Sequence, residues 1–257
     1  MPGRRTGAPI PYDVRRSCSR VRNGSDRKAP LSLIYTGLRA LAVPTLHAMW
    51  KLQVSGRENV PDHGPVILAS NHLSVADHLF LPVACPRLVY FMAKSDYFQQ
   101  GGLKGRFRGA FMRSVGQIPI ERSGGRAALA GLEQARQVIL SGKVFGIFPE
   151  GTRSPDGRLY RGKTGVTRLA LMTGAPVVPV GVLGTDKAQP IGAPFPRPGH
   201  TVTVRIGKPV VYDGAEKVGH NAKQLREITD DIMSRIAELT GQETVDVYAS
   251  RSGDQQQ

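Results

Sequence analysis

From residue 65 onward, short apolar runs alternate with stretches of helical spacing, and that alternation leaves few folds open to the chain. The apolar runs are 65–70, 88–93, 117–121, 144–148, 176–182 and 201–206. The helical patterns are about 75–84, 103–114, 125–141, 164–173 and 221–240. Strand-like runs separated by helices predict a layered α/β fold with a mostly parallel or mixed sheet flanked by helices. Residues 186–200 carry Pro190, Gly192, Pro194, Pro196 and Pro198 around Phe195 and read as a surface loop.

The segment ahead of this pattern is different in kind. Residues 1–30 are rich in Arg, with Gly and Pro between, and show no periodic apolar face, which predicts a disordered basic arm. No small-residue cleavage site follows an apolar stretch there, so the arm does not read as a signal peptide. Between 31 and 50, Leu31, Ile34, Tyr35, Leu38 and Leu41 fall at helical spacing, but Arg39 and Pro44 break the run. A spanning helix needs about 20 apolar residues. Pro44 is expected to start a second short helix carrying Leu46, Met49 and Trp50. A basic arm followed by a pair of apolar helices suits a membrane interface; packing on the domain is the other reading. The chain is thus divided into an arm (1–30), interface helices (31–54), a main domain (55–245) and a flexible tail (246–257).

With 257 residues, 40% of them hydrophobic, the chain can bury one large core or two small ones. Its formal net charge of +15 favours anionic partners. The two cysteines, Cys18 and Cys85, make neither a disulfide framework nor a metal cluster, and suit a reducing compartment.

The chemistry begins at Asn71-His72-Leu73-Ser74-Val75-Ala76-Asp77. A histidine takes a proton near neutral pH, and a carboxylate can fix its tautomer and stabilise its charged form. On one continuous helix, five residues turn through about 500°, which would leave the two side chains roughly 140° apart. They can meet if His72 lies on a loop and the helix begins near Ser74. Ser74 and Asp77 form a capping-box pattern, so Asp77 as a mere cap and His72 as a satisfied loop histidine is the competing reading. If the pair is catalytic, the nucleophile comes from the substrate, for example a hydroxyl.

Other clusters follow. Phe148-Pro149-Glu150-Gly151-Thr152-Arg153-Ser154 leaves a strand, where a Gly admits backbone N–H groups to an anion and an Arg can fork onto phosphate. Gly116-Gln117-Ile118-Pro119-Ile120-Glu121-Arg122 puts an Arg at a strand exit. Ala175-Pro176-Val177-Val178-Pro179-Val180 is an apolar strand with prolines, which suits an edge strand or a strand start. Residues 103–113 alternate cations with Phe107, Phe111 and Met112, suiting anionic lipid, an acidic carrier protein or the domain's own core. Gly157 to Thr164 matches the Walker A pattern letter for letter, but Pro149 to Asp156 separate it from its strand and its variable positions are bulky. Lys163 is placed instead near an acceptor's charge or at the cap of the next helix. No zinc spacing or RNP-like strand supports nucleic-acid binding.

Taken in order, His72–Asp77, Gly116–Arg122, Phe148–Ser154 and Val178–Val180 resemble the HxxxxD, GxIPIxR-like, FPEGTRS and VPV-like blocks of the glycerolipid acyltransferase family. The resemblance spans roughly residues 50–210. It implies that His72 is the general base and Asp77 orients it, that Arg122 and, more weakly, Lys94 face phosphate, and that Glu150, Gly151, Thr152 and Arg153 line the acceptor pocket. It further implies an acyl-CoA or acyl-carrier-protein donor and 1-acylglycerol 3-phosphate (lysophosphatidic acid) as acceptor. Glycerol 3-phosphate, other lysophospholipids and lyso-aminolipids remain open as acceptors. No cofactor or metal is expected. The expected place is the cytoplasmic face of the cell membrane, peripheral or monotopic on anionic lipid. The absence of a G-x-S-x-G elbow agrees with direct transfer.

Overall fold

The strand Val66–Ser70 is buried at every residue and Val177–Leu183 at all but its last, and that fixes the layering. The computed structural model describes residues 31–94, 116–120, 125–212 and 221–250. Among them, α1 (Leu31–Trp50) precedes β1 (Gln53–Ser55), β2 (Val66–Ser70), α2 (Asp77–Ala84), β3 (Val89–Lys94) and β4 (Gln117–Ile120). Then come α3 (Gly125–Leu140), β5 (Val144–Ile147), β6 (Leu159–Tyr160), α4 (Gly165–Thr173) and β7 (Val177–Leu183). The series ends with α5 (Thr185–Ala188), β8 (Thr203–Ile206), α6 (Ala222–Thr240) and β9 (Thr244–Val245). The sheet order is β1-β8-β7-β2-β5-β3-β4, parallel throughout except for β7 against β8.

Alternation along β2 shows how the core divides. Val66 and Leu68 face a cluster with Trp50, Phe80 and Phe91, while Ile67 and Ala69 face Ile139, Leu169, Ile232 and Ile236 from α3, α4 and α6. Helices on both faces of a mostly parallel sheet are the arrangement that the alternating pattern predicts, and continuous apolar strands are its signature. The six expected strands and the expected helices at 75–84, 125–141, 164–173 and 221–240 lie within one to two residues of observed elements, whereas β1, β6, α5 and β9 were not expected. The expected helix at 103–114, the basic arm and Arg122 lie outside the described residues.

Three expectations are corrected. The helix pair at 31–50 is one helix with Pro44 inside it. Proline removes the N–H that would bond Ala40, but Ala40 and Pro44 are both exposed, so water can reach that carbonyl. The helix packs on the domain at its end: Leu46 and Trp50 are buried, the Trp50 ring meets Phe80 edge-on at 5.8 Å, and its Nε1 donates to the Arg197 carbonyl at 2.7 Å. Leu41 and Met49 stay exposed. No described helix is long and apolar enough to cross a membrane.

Second, β7 is not an edge strand: it starts at Val177, directly after Pro176, and pairs with β2 and with β8. Pro179 is tolerated because the β8 ladder begins only at Val180–Ile206, and its carbonyl still accepts from Gly207 N–H at 2.8 Å. Third, residues 246–250 of the tail expected at 246–257 pack beside β6, and 251–257 lie outside the described residues. Arg161 N–H donates to the Val247 carbonyl at 3.0 Å, Arg161 lies 3.4 Å from Asp246, and Ala249 is buried.

Gly146 in β5 is a packing requirement. A Cβ there would come within 2.5 Å of the Phe91 ring. Phe91 is buried and stacks near Phe148, centroids 5.6 Å apart. Gly146→Ala is expected to displace Phe91 and lower stability by about 1–3 kcal/mol, the usual range for overpacking. Urea unfolding checks this; an unchanged midpoint would contradict the packing account.

Candidate active site

The parallel strands β2, β5, β3, β4 and β7 run the same way, so the residues that follow them gather at one end of the sheet, where open α/β folds bind ligands. Asn71, fully buried, begins the loop after β2. Its side chain exchanges two bonds of 2.8 Å with the Val182 backbone on β7, and Nδ2 also donates to Gln242 Oε1 at 2.9 Å. That clamp fixes where His72 leaves the sheet.

His72 is held on every side. Its N–H donates to Glu150 Oε1 at 2.9 Å, and its carbonyl accepts from Ser154 N–H at 2.8 Å. Its ring stacks on Phe148, centroids 4.0 Å apart and planes at 16°. Nδ1 lies 2.8 Å from Asp77 Oδ2. The ring keeps 13% exposure, whereas Asp77 is fully buried.

The Asp77 carboxylate collects donors. Oδ2 also accepts from the N–H groups of Leu73 at 2.8 Å and Ser74 at 2.9 Å, and Oδ1 accepts from Thr185 Oγ1 at 2.5 Å. A buried charge persists when it is hydrogen-bonded in this way. Because the carboxylate oxygen accepts, Nδ1 of a neutral His72 carries the hydrogen and Nε2 carries the lone pair. That is the tautomer a proton acceptor needs.

His72 does lie on the loop, so the 140° separation on a helix never arises. The helix itself starts later than the capping box predicts. Its first residue is Asp77, and the preceding turn is tightened by Asp77 N–H bonding the Ser74 carbonyl at 3.1 Å. Half of the box forms, since the Asp77 carboxylate reaches back to Ser74 N–H. Ser74 Oγ instead accepts from Ala76 N–H at 3.2 Å and donates to the Gln189 carbonyl at 2.7 Å.

Glu150, expected among the residues that line the acceptor pocket, turns its carboxylate inward. It is fully buried, and its two oxygens accept from the N–H groups of His72 and Tyr160, at 2.9 and 3.0 Å. Burial pushes its carboxyl up, the two N–H donors pull it back, and the charge of Asp77 adds a further upward push; the balance is about 7. Gly151 is exposed with φ 76°, and Thr152 and Arg153 are half-buried at the same turn. Lys94 closes β3, while Arg122 is outside the described residues. The sequence gives no sign of the parts played by Thr185 and by Asn71, the residue that precedes His72. Thr185 is 108 residues from Asp77, and no local spacing joins them. Among the described residues no cluster of His, Cys, Asp or Glu could hold a metal ion. The Walker-like stretch carries β6 at its variable positions, paired with β9, which is incompatible with a loop wrapped around phosphate.

The acyltransferase family model matches residues 51–183. The chloroplastic 1-acyl-sn-glycerol-3-phosphate acyltransferase BAT2 of Brassica napus is 30% identical over 180 residues, covering 70% of this chain and 51% of that one. The 1-acyl-sn-glycerol-3-phosphate acyltransferase of Borreliella burgdorferi is 33% identical over 138 residues, covering 53% of this chain and 52% of that one. The chain spans about half the length of these curated relatives. Among solved structures, the 1-acyl-sn-glycerophosphate (LPA) acyltransferase PlsC of Thermotoga maritima matches with a TM-score of 0.56 at 26% identity, over 80% of this chain and 82% of that one.

Thr185→Val removes the donor to Asp77 Oδ1 and leaves a buried carboxylate oxygen without it. Stability is expected to fall by about 1–3 kcal/mol, with Thr185→Ser recovering most of it in urea unfolding; no loss would contradict the bond's importance. The raised Glu150 has a pH consequence. Its folded value of about 7 exceeds the ordinary 4.5, so its contribution is fully present below 4.5 and is lost as pH rises through about 7. Melting curves from pH 4.5 to 8 should show this slope in wild type and lack it in Glu150→Gln. The same slope in both proteins would remove Glu150 as its source.

Proposed function

Because the chain belongs to the acyltransferase family, we propose that it moves a fatty acyl group from a thioester donor, acyl-CoA or acyl-carrier protein, to the sn-2 hydroxyl of 1-acylglycerol 3-phosphate, forming phosphatidic acid for phospholipid synthesis. The observation that carries the mechanism is the 2.8 Å contact between His72 Nδ1 and a fully buried Asp77. It leaves Nε2 as the acceptor of a proton. A thioester is already activated, so no protein nucleophile is required.

In this reading Nε2 takes the proton of the acceptor hydroxyl as its oxygen attacks the thioester carbonyl. The new C–O bond forms, the tetrahedral centre collapses with loss of the C–S bond, and the departing sulfur takes the proton back from the imidazolium. Asp77 stabilises the imidazolium between the two transfers. Arg153, Arg122 and Lys94 are the cations proposed to face the acceptor's phosphate. Glu150 acts through the backbone of His72, as a positioning residue. The relatives are named for this acceptor, which supports lysophosphatidic acid.

The membrane supplies such an acceptor. The exposed Leu41 and Met49 of α1, which contains no acidic residue, suit contact with an anionic lipid surface. We place the enzyme there as a peripheral or monotopic protein of the cytoplasmic face.

The test is acyl transfer from oleoyl-CoA to lysophosphatidic acid, followed by mass spectrometry. Wild type should form phosphatidic acid. His72→Ala and Asp77→Asn should each lose on the order of 10²–10⁴ in rate while keeping the wild-type melting profile in His72→Ala. Equal product from wild type and His72→Ala would remove His72 from the mechanism.

A further inference from the structure

Lys163 lies against the turn that encloses His72. The 150–154 segment grips the His72 backbone from both ends, through Glu150 Oε1 to its N–H and through Ser154 N–H to its carbonyl. Gly151 stands at the exposed tip of that turn. The position a Cβ on Gly151 would occupy is 3.0 Å from Lys163 Nζ and 3.2 Å from its Cδ and Cε. Lys163 N–H also donates to the Pro149 carbonyl at 2.8 Å, which ties its backbone to the same turn. The missing side chain of Gly151 is therefore the space the lysine occupies.

Among the described residues no hydrogen bond or ion pair uses this ammonium group. The acids nearest in the chain are engaged elsewhere: Glu150 with the His72 and Tyr160 N–H groups, Asp156 with Arg158 and the Tyr160 hydroxyl. Helix capping does not account for it either. A helix N-terminus needs acceptors, an ammonium has only donors, and a cation beside the positive end of a helix is disfavoured. Lys163 nonetheless sits two residues before the start of α4, behind the N-cap Thr164. A cation held there, exposed and beside a glycine turn that carries Arg153, fits an anion that comes from outside.

We propose that Lys163 binds the phosphomonoester of the acceptor, beside His72, and so sets the preference for phosphorylated over neutral lysolipids. The inference rests on the acyl-transfer reading above. The same chemistry is also present in the phosphates of a CoA or carrier-protein donor, so the experiment separates the two sources.

The experiment compares wild type, Lys163→Ala and Lys163→Arg, with melting curves to establish folding. In Lys163→Ala, kcat/KM for lysophosphatidic acid is expected to fall about 10- to 100-fold, the range of a hydrogen bond to a charged group. The loss should appear in KM for the acceptor and not in KM for acyl-CoA, and Lys163→Arg should recover most of it. Titration calorimetry with a short-chain lysophosphatidic acid, without a donor, should show the same weakening, and monoacylglycerol of the same chain length should not. A rise in KM for acyl-CoA alone, equal affinity of wild type and Lys163→Ala for lysophosphatidic acid, or equal weakening for the neutral lipid would each overturn the proposal. Because calorimetry needs no turnover, a wild type that binds lysophosphatidic acid but transfers no acyl group would overturn the reaction alone.

Discussion

The structure turns on one buried carboxylate. Asp77 is the first residue of α2, and it faces back into the loop it leaves, where it accepts from the N–H groups of Leu73 and Ser74, from Thr185 and from His72. Those bonds tie together the loop after β2, the start of α2 and the turn after β7. A charge taken wholly out of water is costly unless its lone pairs are filled. The loop therefore has little freedom to place its N–H groups elsewhere, and the orientation of the His72 ring follows. Phe148 completes the restraint by stacking on the ring's face.

The rest of the end of the sheet follows the same sorting of charge. Acidic groups turn inward onto backbone N–H donors, as Asp77 and Glu150 do. Cations remain outside: Lys163 is exposed and Arg153 half-buried. A site arranged this way presents a proton acceptor next to positive charge, which suits a hydroxyl carried on an anionic molecule. The glycine at position 151 belongs to this arrangement, since its φ of 76° turns the chain and its lack of a side chain admits Lys163.

Apolar period made the central strands and most helices legible in the chain, because they are largely buried and their pattern reports that burial directly, whereas the short β1, β6 and β9 carry too few residues to show a period. The His72–Asp77 pair was legible too, once His72 was placed on a loop. What escaped were features set by tertiary contact. Pro179 sits in a central strand because the β8 ladder starts beyond it. Pro44 stays within a helix where exposure leaves the freed carbonyl open to water. Glu150 belongs to a conspicuous motif, yet its partners are the N–H groups of His72 and Tyr160, one of them 78 residues away. Thr185 has no local pattern at all and meets Asp77 only after β7 is laid beside β2.

The central claim is that Asp77 holds neutral His72 with its hydrogen on Nδ1 and its lone pair on Nε2. Long-range nitrogen–proton correlation NMR of histidine-labelled protein reads this directly, with the His72 signals assigned by their loss in His72→Gln. The account predicts a pyrrole-type Nδ1 and a pyridine-type Nε2 in wild type under conditions where the ring is neutral. A pyridine-type Nδ1 with the hydrogen on Nε2 would contradict it, because such a ring could not accept a proton from a hydroxyl at Nε2.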